Sequence, residues 1–126
     1  MIGVSDEAFY ALVQEAVTAI PERFAKHLNN VAFMVADEPT REQLGVNLRL
    51  HRRGMTLLGL YEGIPLPRRG DGYSGVLPDV ITVFRGPHLA MAHDVEGLRR
   101  DVRQTVWHEV AHYFGLDHGQ IRALEE

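Results

Sequence analysis

Apolar residues recur at helical spacing close to the N-terminus and predict the first helix of the chain. Ser5 stands just before this pattern and is a typical N-cap residue. Pro21 then suits the first turn of a second, shorter helix that extends to 29–30. The apolar positions of the first helix are Phe9, Leu12, Val13, Ala16 and Ile20.

Three short apolar runs predict buried strands. They are VAFMVA (31–36), TLLGLY (56–61) and DVITVFR (79–85). The segment between the last two, EGIPLPRRGDGYSGVLP (62–78), is dense in Gly and Pro and predicts a long loop. A loop of this length in a small domain is typically functional or mobile. We therefore expect 62–78 to gate a cleft.

The longest predicted helix covers about 95–114 and ends at Gly115. A short irregular stretch after Gly86-Pro87 precedes it, and 120–126 predicts one or two further helical turns. One broad side of the long helix is apolar, and the opposite side is polar. The apolar side carries Val102, Val106, Trp107, Val110 and Phe114, and the polar side carries Asp101, Gln104, Thr105, His108 and His112.

The segment HEVAHYFGLDH, at the end of that helix, predicts a metal site. His108 and His112 are one helical turn apart, about 40° around the axis and about 6 Å along it, so both imidazoles can reach one ion. Glu109 lies about 100° away, which suits it to contact a water on the ion. Gly115 can turn the chain, and His118 can then return as a third ligand.

Three protein ligands leave one open position on a tetrahedral zinc ion, which is typical of a catalytic site. Zinc would lower the pKa of a water to roughly 7 and polarise a carbonyl. The carboxylate of Glu109 would take the proton and return it to the leaving amine. We therefore expect Zn²⁺ as the cofactor, with Glu109 as the catalytic residue and His108, His112 and His118 as the metal ligands.

The composition of the chain limits its domain number, its partners and the ligands that can hold a metal. A chain of 126 residues predicts one domain, 1–126, and its net charge of −4 argues against nucleic acid as a partner. The absence of cysteine means that nitrogen and oxygen must hold any metal. The N-terminus lacks a signal pattern and no run spans a bilayer, so we expect a cytoplasmic protein without a membrane. The scattered arginine pairs, which include Arg68-Arg69, predict a solvated surface.

Other polar residues have two interpretations. Asp101 and Thr105 can orient an imidazole, but a plain exposed polar face is favoured. Asp117 can cap a final helix and pair with Gln120. The histidines outside the motif, which lack a chelating partner, predict surface or loop positions; they are His27, His51, His88 and His93. His93 or Tyr73 can still assist from the loops.

Beyond the motif, four segments in order resemble the small bacterial zincin-like metallopeptidases, also described as minimal zincins. They are AIPERFAKHLNNVAFMVADEP, LLGLYEGIPLPRRG, LPDVITVFRGPH and HEVAHYFGLDH, and the resemblance covers about 7–124. It implies an α+β fold in which a small mixed sheet packs against N-terminal helices and the active-site helix. It also implies zinc at His108 and His112, with Glu109 as general base, and a peptide or protein substrate.

The chain departs from that family at one position. Many members carry Asp where this chain has His118, so the motif here is the full HExxHxxGxxH of metzincins. The methionine that follows this motif in metzincins is absent, because no methionine follows Met91. The resemblance therefore does not extend to the substrate pocket of a metzincin.

Two rival functions come from other classes. HxxxHxxGxDH also resembles the motif of bacterial metal-dependent endoribonucleases of ribosomal RNA maturation, but these lack a glutamate after the first histidine. A zinc-binding interaction module without turnover is the second rival. For a peptidase, the strand VITVFR offers an edge to which an extended peptide can pair. The sequence leaves the oligomeric state open.

Overall fold

The structure is a computed structural model that describes residues 2–46, 57–69, 77–116 and 119. Helix α1 (Asp6–Thr18) begins where the Ser5 hydroxyl accepts a hydrogen bond from the Ala8 N–H at 3.1 Å. Its buried side carries Phe9, Leu12, Val13 and Ala16. The predicted cap and apolar face of this helix are both confirmed, except that Ile20, although buried, lies just beyond the helix end at Thr18.

The second predicted helix is shorter than expected. Helix α2 spans Glu22–Ala25, and Pro21 stands at its N-cap position. The chain then forms turns rather than further helix, and Asn30 adopts a left-handed φ of 58° just before the first strand. Asparagine tolerates this conformation better than most residues, which lets the chain change direction there.

The three predicted strands form one mixed sheet in the order β1-β3-β2. Strand β1 (Val31–Ala36) runs parallel to β3 (Asp79–Phe84), and β2 (Gly59–Glu62) runs antiparallel to β3. β3 is therefore the central strand, and the expectation that VITVFR offers a free edge is wrong. The N–H and C=O groups of β3 are already used by two neighbours, so within the described residues the outer edges of the sheet belong to β1 and β2.

Two short helices stand where the sequence predicted none. Helix α3 (Arg41–Val46) is preceded by Thr40, which shares reciprocal hydrogen bonds of 2.9 and 3.1 Å with Gln43. Helix α4 (Arg85–Met91) contains Gly86-Pro87, where we predicted an irregular stretch. Proline is tolerated there because it lies in the first turn, where its missing N–H has no helical partner.

The long helix α5 (Val95–Tyr113) agrees with the prediction for 95–114. The side chain of Asp94 caps it by accepting a hydrogen bond from the Gly97 N–H at 2.7 Å. Gly115 follows the helix with a φ of 76°, and the next N–H, of Leu116, returns to the carbonyl of Ala111 at 3.0 Å. This left-handed turn is the predicted helix end, and it redirects the chain after α5.

The hydrophobic core lies between α1, α5 and the sheet. Phe9 and Val13 of α1 meet Val102, Val106 and Val110 of α5, and all five are at most 1% exposed. The sheet contributes Ile81 and Val83 from β3 to the same cluster. The predicted apolar side of α5 therefore faces the core.

Part of the loop between β2 and β3 is fixed by a buried ion pair. The Arg69 guanidinium lies 2.5 Å from a carboxylate oxygen of Asp79, and both side chains are 5% exposed. Arg69 also donates to the carbonyls of Ile64 and Asn29 at 2.9 and 3.0 Å. The prediction that Arg69 lies on a solvated surface is wrong, because a buried carboxylate and two carbonyls draw it inward.

The described residues therefore form an α+β fold with five helices and a small three-stranded mixed sheet. None of the helices within these residues is long and apolar enough to cross a membrane. Several predicted features lie outside the described residues. They are His51, Tyr73, Asp117, His118, the helical turns at 120–126 and most of the second half of the 62–78 loop.

Candidate metal centre and active site

Helix α5 places both histidines of the HExxH segment on one face. His108 and His112 are half-buried, and their ring centroids lie 4.8 Å apart with planes at 78°. One ligand atom from each of His108, Glu109 and His112 lies within 4.8 Å of the others. The one-turn spacing thus produces the proximity that chelation of one ion requires.

Glu109 is buried between α5 and β2, with 8% of its surface exposed. Its Oε1 accepts a hydrogen bond from the Tyr61 N–H at 2.9 Å. Burial raises the pKa of this carboxyl to about 7, and the Tyr61 N–H partly opposes the rise by favouring the charged form. A group with a pKa near 7 can both take and return a proton at neutral pH.

Gly59 allows α5 and β2 to approach closely enough for this contact. A Cβ atom at Gly59 would lie 2.5 Å from Cγ2 of Thr105 and 3.4 Å from Cγ of Glu109. Contacts below 3 Å are not tolerated without displacement, so a larger residue would push the helix and the strand apart. The glycine therefore helps to bring the Tyr61 amide within reach of the Glu109 carboxylate.

The polar side of α5 is less exposed than we predicted. Thr105 is 7% exposed, because its methyl group packs against Gly59. Asp101 is half-buried, and Gln104 alone of these three is exposed. The interpretation of this side as a plain exposed face is therefore wrong for Thr105, since β2 covers the part of the helix that carries it.

The third predicted ligand, His118, lies outside the described residues and stays a prediction. The chain approaches it through Gly115, where an added Cβ would lie 2.8 Å from the Pro67 ring. The end of α5 thus packs against the first half of the 62–78 loop. Asp117, proposed as a helix cap, also stays a prediction.

The remaining histidines do not join the site. His27 and His93 are exposed, as predicted. His88 is fully buried in α4, 6.0 Å from the Phe9 ring, so its predicted surface position is wrong. It is buried because α4, which the sequence did not predict, packs against the core. Burial lowers the pKa of His88 to about 4.

The sequence reasoning missed the groups that support the site from β2. The Tyr61 hydroxyl donates a hydrogen bond to the carboxylate of Asp79, to which Arg69 is also bound. Burial is the main cause that raises the Tyr61 pKa well above its usual value. The segment YEGIPL, which contains Tyr61, is informative in the sequence only through the family resemblance. No spacing rule connects Tyr61 with Glu109, because the two meet only through tertiary packing.

The donor set of this cluster fits zinc. Two imidazoles and a carboxylate supply nitrogen and oxygen ligands, which zinc accepts, and the chain has no cysteine to offer a thiolate. A divalent cation beside Glu109 would favour its carboxylate form and lower the raised pKa. His108 and His112 can therefore hold the ion while Glu109 stays beside it.

The chain is similar to known proteins both in sequence and in structure. A family model described as zincin-like metallopeptidase matches residues 28–126. A solved structure of a conserved hypothetical protein from Thermo thermophilus is similar to this chain, with a TM-score of 0.57 and 25% sequence identity. The similarity covers 97% of this chain and 100% of that one. No curated protein matches the chain significantly.

Proposed function

Because the chain belongs to the zincin-like metallopeptidase family, we propose that it is a zinc-dependent peptidase in which Glu109 is the general base. One observation carries the proposal: the ligand atoms of His108, Glu109 and His112 lie within 4.8 Å of one another on one helix. The family match supports a metallopeptidase-like role, and this proximity supports its chemistry.

His108 and His112 would hold the metal ion, and His118 would complete the ligand set from beyond Gly115. When bound, zinc supplies a Lewis acid that acidifies water and polarises the carbonyl of the substrate. The left-handed turn at Gly115 supports the third ligand, because it redirects the chain immediately after the helix.

Glu109 would take a proton from the attacking water and deliver it to the amine that leaves. Its Oε1 is engaged by the Tyr61 N–H, which fixes the carboxylate and leaves Oε2 for the water. Burial raises the pKa of this carboxyl and a bound cation would lower it again, so the two opposing effects keep the group able to take and return a proton. The fixed carboxylate needs no large side-chain movement between the two steps.

Among the described residues, the outer edge of β2 is the place where an extended peptide would pair, apart from the Tyr61 N–H that Glu109 already occupies. The inner edge of β2 is bonded to β3, and Tyr61 directs its N–H away from β3 toward Glu109. A peptide that adds a strand at this edge would lie beside α5, close to the proposed metal ligands. The peptide-pairing role that we predicted for VITVFR is thus assigned to β2.

The family match favours this function over the endoribonuclease, whose motif lacks a glutamate at the position of Glu109. It does not separate an active peptidase from a zinc-binding module without turnover, because both would keep the same ligands. Glu109 is needed for catalysis by the proposed mechanism, but it is not needed for zinc binding. A substitution at Glu109 therefore tests turnover separately from the metal site.

The test compares the wild type with Glu109→Gln in zinc content and in cleavage of a peptide library. We expect one equivalent of zinc in both proteins and a loss of at least about two decades of turnover in the variant, the scale of general-base catalysis. Glutamine keeps an oxygen for the Tyr61 N–H, so folding should be preserved. Glu42→Gln, an exposed change on α3, is the matched control and should leave both quantities unchanged.

A His118→Ala variant in the same experiment tests the ligand set, and we expect it to retain zinc much more weakly. Full zinc retention in this variant would remove His118 from the proposal. Equal and negligible turnover by wild type and Glu109→Gln, with zinc in both, would instead identify a binding module. A protein without zinc would contradict the metal site itself.

A further inference from the structure

A groove of about 330 Å³ opens on the face of α5 that meets α1 and α2. Its floor is apolar and includes Ala16 from the end of α1, Ile20 just after that helix, Phe24 from α2 and Trp107 from α5. Phe24 and Trp107 pack edge to face with ring centroids 5.0 Å apart, which forms a rigid aromatic wall. The groove thus offers a preformed apolar surface for a bulky side chain.

Three arginines line the same groove, although the chain as a whole has a net charge of −4. Arg103 is 3.5 Å from Glu15, which is a long and exposed contact. Arg100 and Arg23 form no ion pair with a carboxylate among the described residues, and Arg23 lies 5.0 Å above the Phe24 ring. Most of this positive charge is therefore not neutralised by acidic side chains in the part of the chain that the structure describes.

We propose that this groove binds an acidic peptide segment that carries one bulky apolar side chain. Guanidinium groups prefer carboxylates and can bind them with two parallel hydrogen bonds. The aromatic wall would take the apolar side chain while Arg23, Arg100 and Arg103 bind the flanking carboxylates. Along α5 the groove extends from Arg100 to Trp107, roughly 10 Å, which is the length of about three extended residues.

This inference goes beyond the proposed peptidase activity and does not need the metal. Trp107 and His108 are adjacent in sequence but point about 100° apart around α5, so the aromatic wall and the proposed metal ligands face different directions, with Gln104 at the rim of the groove between them. Peptide binding can consequently be measured with EDTA present. A result that contradicts peptide binding in the groove can then be distinguished from a result that contradicts the proposed peptidase activity.

Trp107 is the single tryptophan of the chain, so intrinsic fluorescence reports directly on the groove. The probe is acetyl-Asp-Glu-Leu-Glu-Asp-amide, titrated into the full chain in EDTA, with isothermal calorimetry as the second measurement. We expect saturable binding that weakens about tenfold or more in Arg100→Glu/Arg103→Glu and also in Arg23→Glu. Arg41→Glu, an exposed change on α3, should bind within about twofold of wild type.

Further binding measurements test which chemical features of the ligand the groove recognises. Affinity should fall severalfold between about 50 and 500 mM KCl, because exposed charges are screened. A peptide with glycine in place of leucine, and one with lysines in place of the acids, should both bind at least about tenfold more weakly. Octanoate, an apolar anion without a peptide, should also bind more weakly than the probe.

Four results would overturn the proposal. They are no saturable binding by either method at about 1 mM peptide, unchanged affinity in both arginine variants, equal affinity for the glycine or lysine peptide, and tighter binding of octanoate than of the probe. Circular dichroism of each variant confirms that a loss of binding is not a loss of folding.

Discussion

Burial changes the acid–base behaviour of two side chains in opposite directions. It raises the pKa of Glu109 to about 7 and lowers the pKa of His88 to about 4. In both cases the surroundings favour the neutral form, since transfer of a charge from water into the protein interior is unfavourable. Glu109 has a Tyr61 N–H as partner, whereas both ring nitrogens of His88 have none among the described residues.

His88 should make folding stability depend on pH below neutrality. Above about pH 6.5 the residue is neutral in both states, whereas below it the unfolded chain takes up a proton that the folded chain accepts only near pH 4. Stability is therefore lost as the pH falls from about 6.5 to 4, and the loss is about 2 kcal/mol at pH 5. We expect His88→Leu to remove this loss, as measured by urea unfolding.

At pH 7.5 the same variant should lie within about 1.5 kcal/mol of wild type, because leucine has a similar size and no nitrogen is deprived of a partner. His27→Gln, an exposed change, is the control and should preserve the pH dependence. A wild type and His88→Leu that lose stability in parallel between pH 7 and pH 5 would show that His88 is not the cause.

At the scale of elements, the contact between β2 and α5 depends on one small residue. Gly59→Ala would place a methyl group 2.5 Å from the Thr105 methyl group and 3.2 Å from the carbonyl of Thr82. We expect this variant to lose about 1–3 kcal/mol of stability, the usual cost of overpacking. If the chain is a peptidase, turnover should also fall, because Glu109 would lose its alignment with the Tyr61 N–H.

Gly45→Ala is the matched control for that change. Gly45 lies in α3, and an added Cβ would have no atom within 4 Å from the described residues outside the adjoining helix backbone. Alanine there should leave stability unchanged or raise it by about 0.5–1 kcal/mol, since it is the better helix former. Thermal unfolding measures the stability of both variants. Equal stability changes in Gly59→Ala and Gly45→Ala would contradict the packing argument.

The elements that the sequence predicted well are those with a long or pure hydrophobic pattern. The helices α1 and α5 repeat apolar residues over several turns, and VAFMVA matches β1 residue for residue. The hydrophobic pattern did not predict the short helices α3 and α4, because they have no such repeat. For α3 a signal was present, since Thr40 and Gln43 have the spacing of a capping box. For α4 the Gly86-Pro87 pair pointed to a break.

At the scale of the whole molecule, Arg69 joins segments that are far apart in the chain. It pairs with Asp79 at the start of β3, bonds the Asn29 carbonyl before β1 and lies 4.9 Å above the ring of Tyr113 in α5. Removal of the guanidinium leaves a buried carboxylate without its counter-charge. We expect Arg69→Met to cost about 3–5 kcal/mol in chemical unfolding.

The neighbouring Arg68 provides the control, because it is exposed in the same segment. Arg68→Met should change stability by no more than about 0.5 kcal/mol. The double variant Arg69→Met/Asp79→Leu should recover part of the loss, since it removes the buried charge as well. An Arg69→Met protein as stable as Arg68→Met would mean that the ion pair does not hold the loop.

The candidate site was predictable from sequence only as far as it is local. His108, Glu109 and His112 lie within five consecutive residues, so helix geometry alone places them near one another. The Tyr61 N–H and the close approach at Gly59 depend on how the sheet packs on α5, which no spacing in the sequence encodes. Arg69 gave the opposite signal, because an arginine beside another arginine in a Gly-rich and Pro-rich loop is typical of a solvated surface.

The hydrogen bond between Tyr61 and Glu109 also has a consequence for aggregation. An outer strand with free N–H groups can recruit strands from other molecules. On β2 the Glu109 carboxylate occupies one of these groups and so blocks part of the edge from intermolecular pairing. A variant that removes the proposed general base should therefore keep an acceptor at position 109, because alanine there would expose the Tyr61 N–H to pairing with a strand of a second molecule.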